Sequence, residues 1–89
     1  MVSKNQIKLI SNLQQKKQRI AYQLFIAEGI KSILELLDSN FELEHLYTTQ
    51  DDFEAVSTVQ KSIISESDLK RMSALATPNT CLAVFKIPQ

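Results

Sequence analysis

Apolar residues recur along this chain in two periods, and the changes from one period to the other mark its elements. Ile7, Ile10 and Leu13 follow one another at near-helical intervals behind Ser3 and Gln6, which have the spacing of a capping box. A first helix is predicted from about Lys4 to Lys17. Leu24 to Ala27 reads as a short buried strand, and Ile30, Ile33, Leu34 and Leu37 then keep the i, i+3, i+4, i+7 spacing of an amphipathic helix ending near Asn40. Leu43 to Thr49 favours a second strand through Leu46, Tyr47, Thr48 and Thr49. Thr49 and Asp52 resemble a cap for a third helix that turns Phe53, Val56 and Val59 inward. Ser62-Ile63-Ile64 is a minimal third strand. Ser65 and Asp68 open a fourth helix with Leu69, Met72 and Leu75 inward, closed by Thr77-Pro78-Asn79, and Leu82 to Ile87 is the last strand before Pro88.

The order is α-β-α-β-α-β-α-β. Regular alternation of short strands and helices predicts an α/β fold in which helices cover both faces of one sheet, a three-layer α/β/α sandwich. The 89 residues make a single small domain, spanning 1–89, with room for one core. Gly29 is the only glycine in the chain, placed where a strand turns sharply into a helix and a missing Cβ costs least.

Charge changes the picture more than composition does. Lysines and arginines match acids at ten each, yet five cations (Lys4, Lys8, Lys16, Lys17, Arg19) and no acid precede Glu28, and ten acids stand against five bases from Glu28 onward. Such a split suits a polyanionic partner, and equally a solvated helix face that lacks acids. The longest uncharged stretch, Met72 to Phe85, is interrupted by polar residues and too short to span a bilayer. The polar start Met1-Val2-Ser3-Lys4 lacks the apolar core of a secretory signal, so no membrane association and a cytoplasmic address are expected.

Several chemistries lack their residues. One glycine cannot build a phosphate-cradling loop, which excludes Walker and dinucleotide fingerprints. Cys81 is the only cysteine, so an intrachain disulfide is impossible, no zinc motif exists, and a buried hydrophobe is its expected role. His45 is the only histidine, and strand alternation assigns it a structural or solvated place. Asp51-Asp52 resembles a phosphoacceptor pair but sits where a helix should begin, where carboxylates are favoured by the helix dipole. Phe25 is expected in the core, which leaves Tyr22, beside the cations, as a candidate for base stacking. No catalytic, cofactor-binding or metal-binding residue is predicted.

Ser11-Asn12-Leu13, Lys16-Lys17-x-Arg19 and Leu24-Phe25-Ile26-Ala27-Glu28-Gly29 with Lys31 together resemble the N-terminal substrate-binding domain of the SpoU (TrmH-type) RNA 2′-O-ribose methyltransferases. The likeness continues through Ile64-Ser65-Glu66 to Leu69 and Met72-Ser73-x-Leu75-x-Thr77-Pro78-Asn79 into Leu82-Ala83-Val84. It implies a fold similar to the kink-turn-binding ribosomal proteins and a role in gripping ribosomal or transfer RNA. It also implies a separate C-terminal knotted domain, absent from these residues, that binds S-adenosylmethionine, methylates a ribose 2′-hydroxyl and makes the full-length protein a homodimer. Where such domains commonly have a glycine after the Pro-Asn turn, this chain has Thr80, so a reshaped turn is expected there.

On this reading Lys16, Lys17 and Arg19 contact phosphates of a structured RNA and Lys4 and Lys8 extend the stripe along one helix. Glu28, Gly29 and Lys31 shape and flank the neighbouring surface, and Glu28 has the further reading of a helix N-terminal carboxylate held by the dipole. The chain is expected to bind without catalysing. The alternative is a protein-interaction or oligomerisation module that packs on the catalytic domain. An independent small enzyme is opposed by the poverty of His, Cys and Gly.

Overall fold

The computed structural model describes residues 3–50, 53, 56–73 and 80–88. Helices α1 (Lys4–Asn12) and α2 (Lys16–Tyr22) lead into β1 (Leu24–Glu28), α3 (Ile30–Asp38) and β2 (Leu43–Thr48). A 3₁₀ turn at Thr58–Gln60 enters β3 (Lys61–Ile63), followed by α4 (Glu66–Met72) and β4 (Cys81–Lys86). The four strands form one mixed sheet in the order β1-β4-β2-β3. β4 is antiparallel to both β1 and β2, and β3 runs parallel to β2.

β4 carries the core on both of its faces because its side chains alternate with period two. Leu82 and Val84 join Ile7 and Ile10 of α1, Leu13 just after it, and Leu69 and Met72 of α4 on one face. Cys81, Ala83 and Phe85 meet Ile33 of α3 with Phe53 and Val56 on the other. Helices therefore cover both faces, and the expected α/β/α sandwich is the fold. Phe85 is fully buried and stacks on Phe25, whose ring also meets Phe41 edge-on, so Phe25 is a core residue as expected.

Local signals set most element starts. Ser3 Oγ accepts from the Gln6 N–H at 3.1 Å while Gln6 Oε1 accepts from the Ser3 N–H at 2.9 Å, completing the capping box. Ser65 Oγ accepts from the Asp68 N–H and opens α4 in the same way. Gly29 takes φ 96° and ψ 145°, a conformation essentially reserved for glycine, at the turn from β1 into α3.

Four expectations need correction. The first helix does not run unbroken to Lys17. Leu13, Gln14 and Gln15 tighten into i→i−3 bonds onto Ile10, Ser11 and Asn12, and α2 starts afresh at Lys16. In α3 the buried stripe is Ile33 with partly buried Leu36 and Leu37, whereas Ile30 and Leu34 face outward at 41% and 50% exposure. Phe53 and Val56 are buried, but Val59 is 83% exposed on the 3₁₀ turn, and Thr49 Oγ1 donates to the Thr80 carbonyl. β3 starts one residue early, at Lys61, and Ile64 lies beyond it in the core. Asp51, Asp52, Leu75 and Thr77-Pro78-Asn79 lie outside the described residues.

Candidate nucleic-acid interface

The cationic N-terminal segment is folded back on the edge of the sheet by two conformational devices. Gln23 adopts the left-handed conformation, φ 56°, and reverses the chain between α2 and β1, so that α2 lies back along the strand. Arg19 fixes the other joint. Its Nη1 donates to the carbonyl oxygens of Leu13 at 2.9 Å and Gln14 at 2.8 Å, which are left over where α1 ends. A guanidinium bound to two carbonyls both satisfies those groups and complements the negative end of the helix dipole. Arg19 thus holds the angle between α1 and α2.

Arg19 and Gln14 line, with Phe25, Ile26 and Glu28, a cavity of about 310 Å³ beside β1. Gln14 also reaches across to α4, its Nε2 donating to the Met72 carbonyl at 3.3 Å. Lys16 and Lys17 open α2 at the end remote from Gln23, which is the Glu28 side of β1, and both are exposed. Lys31 is exposed in the first turn of α3, immediately after Gly29. Among the described residues none of Lys4, Lys8, Lys16, Lys17 or Lys31 forms an ion pair. Lys16, Lys17 and Lys31 therefore flank one end of β1 with their charge uncompensated by a close partner.

Lys4 and Lys8 are exposed but belong to α1, and a rise of 1.5 Å per residue sets the start of that helix about 13 Å from its joint with α2. The predicted stripe is divided between two helices. Glu28, the last residue of β1, accepts a hydrogen bond from the Ser73 hydroxyl at the end of α4. That bond ties β1 to α4 and gives the carboxylate a structural task. The Gly29 N–H donates to the Cys81 carbonyl at 3.1 Å and the Gly29 carbonyl accepts from the Ile33 N–H at 3.1 Å, so this turn is anchored to β4 and to α3 together. Next to it the Thr80 carbonyl accepts from the Thr49 N–H and from both the Thr48 and Thr49 hydroxyls.

The remaining singled-out residues separate clearly. Cys81 is buried among apolar neighbours, as expected. Tyr22 is exposed, but it lies at the opposite end of α2 from Lys16. His45 is half-buried on β2, its Nε2 2.8 Å from Ser62 Oγ, and burial lowers its pKa from the usual 6.5 against the opposing pull of Glu44. No cluster of His, Cys, Asp or Glu able to hold a metal occurs among the described residues, and none of their helices is long and apolar enough to cross a membrane. The tether from Arg19 to the α1 carbonyls has no local sequence signal. A break of pattern after Leu13 is its only trace.

A helix-covered mixed sheet with this order of elements is the architecture of the substrate-binding domains of SpoU/TrmH RNA methyltransferases. Residues 4–83 match the family model described as MRM3-like substrate binding domain, and the chain belongs to that family. No curated protein matches. Among solved structures, a protein from Porphyromonas gingivalis assigned to the TrmH family of RNA methyltransferases is 37% identical with a TM-score of 0.85, over 99% of this chain and 36% of its own. The AdoMet-bound rRNA methyltransferase of Sinorhizobium meliloti shares the fold at 22% identity and a TM-score of 0.77, over 99% of this chain and 36% of its own. The SpoU methyltransferase AviRb of Streptomyces viridochromogenes, in complex with AdoMet, does so at 13% identity and a TM-score of 0.77, over 98% of this chain and 37% of its own. The chain spans little more than a third of the length of each.

Proposed function

We propose that this domain grips a structured ribosomal or transfer RNA for an S-adenosylmethionine-dependent ribose 2′-O-methyltransferase, with Lys16, Lys17 and Lys31 on the phosphates around the Glu28-Gly29 turn. The observation that carries the reading is the match of residues 4–83 to a substrate-binding family. The unpaired lysines at one end of β1 supply the electrostatics. Arg19 serves this surface by fixing α2, and Lys4 and Lys8 add a weaker, more distant attraction. Phosphate contacts orient an RNA without reading its sequence, so discrimination rests on RNA shape and on the catalytic domain.

The residues of this chain do not fit S-adenosylmethionine. Its one glycine, where a backbone could approach a ligand closely, has its N–H committed to the Cys81 carbonyl. The methyl donor belongs to a separate domain, through which the full-length protein pairs as a homodimer. The cytoplasm, where ribosomal and transfer RNA are modified, is the setting that goes with this role.

Affinity for a structured ribosomal RNA fragment, measured in rising salt, tests the reading. Log K should fall linearly with log salt, with a slope of about 0.7 to 0.9 for each phosphate neutralised. A flat response would remove the electrostatic model. The outward Ile30 and Leu34, one turn apart on α3, favour a second reading in which α3 packs on the catalytic domain or another protein. Sedimentation of the isolated chain separates the two, because self-association without RNA binding would support the second.

A further inference from the structure

The opposite end of the sheet carries a second cleft that the phosphate surface does not use. Gln6 and Leu9 of α1, Leu13 just after it and Leu24 of β1 enclose a space of about 270 Å³ with Glu44, His45 and Tyr47 of β2. A regular strand cannot put Glu44 and His45 into one cleft, since consecutive side chains point to opposite faces. Here the register of β2 against β4 slips between Leu43, opposite Phe85, and His45, opposite Val84. Glu44 is the extra residue of a β-bulge, a device that re-aims side chains beside binding sites. Leu43 and Leu46, three apart, consequently share one core, while Tyr47 joins the other.

The polar groups of the cleft are held in place yet still have bonding capacity. His45 is pinned by Ser62 and lies against Tyr47, with ring centroids 4.8 Å apart. Tyr47 is only 5% exposed, and its hydroxyl has no hydrogen-bond partner among the described residues although no unpartnered polar atom is fully shut away from solvent. Tyr47 lines the cleft. Burial and the Glu44 charge both raise its pKa above the usual 10.0, which keeps it a donor. Glu44 is exposed and makes no hydrogen bond or close ion pair among the described residues, while Lys86 pairs with Glu42 and meets the Glu44 charge only at longer range. Gln6 spends its Oε1 on the capping box, which leaves Nε2 as a donor.

We propose that this cleft receives an unpaired guanine of the bound RNA. Guanine presents two adjacent donors, N1–H and the N2 amino group, to a carboxylate that can accept both, and its O6 to a donor such as Tyr47 or Gln6. Its flat ring suits apolar walls of Leu9 and Leu24 with the edge of the His45–Tyr47 pair, and unpaired bases are read in this manner on their Watson–Crick edge. Glu42 and Glu44 repel phosphate, so the base enters while the backbone stays outside. Uracil, which has no amino group, lacks the paired donors. The proposal rests on the RNA-binding reading above, extending it from phosphate to base.

The test is an amide NMR titration of the intact chain with guanosine, inosine and uridine, which carry no phosphate. Saturable shifts centred on Glu44, His45 and Tyr47 are expected with guanosine. Binding should weaken roughly tenfold for inosine, which lacks the 2-amino group, and for guanosine with Glu44→Gln, each having lost a charge-assisted bond. Tyr47→Phe, which keeps the ring, should weaken guanosine less. No saturable response, an equal response to uridine, or an unchanged affinity in Glu44→Gln would overturn the proposal. Normal salt-dependent RNA binding with no guanosine response overturns the cleft alone, and a guanosine response with flat RNA salt dependence supports the cleft while removing the phosphate surface.

Discussion

The two ends of β1 and β2 differ in the charged side chains that the described residues place there. At the Glu28-Gly29 end of β1, Lys16, Lys17 and Lys31 are exposed without ion-pair partners, and Glu28 is occupied by Ser73. At the other end Glu42 and Glu44 stand at the start of β2, where Lys86 pairs closely with Glu42 and feels the Glu44 charge at longer range. β1 and β2 are both antiparallel to β4, so they run the same way from the acidic end to the basic one. A formal net charge of zero conceals this arrangement. The lesson is that charge order along the sequence is not charge order in space, since Lys31 from the acid-rich half lies after β1 while Lys4 and Lys8 lie on α1, whose Gln6 and Leu9 line the cleft with Glu44.

The largest effect should come from removing what both ends share. Phe85→Ala empties a fully buried site on the central strand and should cost about 3–5 kcal/mol, read as a lower urea midpoint, with both ends lost together. Gly29→Ala forces a Cβ into the conformation at φ 96° and should cost about 1–3 kcal/mol in thermal or urea unfolding. The lysine end should also lose RNA affinity in that variant, while amide shifts around His45 stay as they are.

Arg19 sharpens the comparison further, because holding a joint and touching a phosphate leave different traces. Lys16→Ala with Lys17→Ala should lower RNA affinity and reduce the salt slope by about two phosphates' worth. Arg19→Ala should lower affinity with the slope nearly unchanged, since its Nη1 is spent on the Leu13 and Gln14 carbonyls. A slope reduced by a full phosphate would make Arg19 a direct contact.

The smallest effect is a pH dependence confined to the acidic end. Burial lowers the His45 pKa below its usual 6.5, so in the window just below 6.5 the unfolded chain binds more protons than the folded one. Stability should therefore decline as pH falls from about 6.5 through the lower folded value, and level off beneath it. Urea midpoints across this range should show that slope in the native chain and lose it in His45→Gln. A midpoint that rises on acidification would contradict the assigned direction.

The sequence made the fold legible wherever a local signal decides the structure. The Ser3–Gln6 box, the Ser65 cap and Gly29 need only neighbouring residues, and each stands as read. What escaped depends on partners distant in sequence or on a slip of register. The stretch from Leu13 to Gln15 contains neither glycine nor proline, so no breaker announces the gap between α1 and α2, and Arg19 stabilises it from α2. The bulge at Glu44 left one faint sign, the spacing of three between Leu43 and Leu46, which a period-two strand does not explain. The lysines were legible as a charge run, whereas their division between two helices was not.

β4 occupies the middle of the sheet although it is the last strand made, so β1 and β2 each pair with a segment that leaves the ribosome only after all the other strands. Local elements such as α1 and α3 can form as they emerge, and β2 can meet β3, but β1 and the other edge of β2 have no strand partner until residues 81–86 arrive. This order concentrates sheet formation in a single late, long-range event and leaves the nascent chain with open strand edges while it waits.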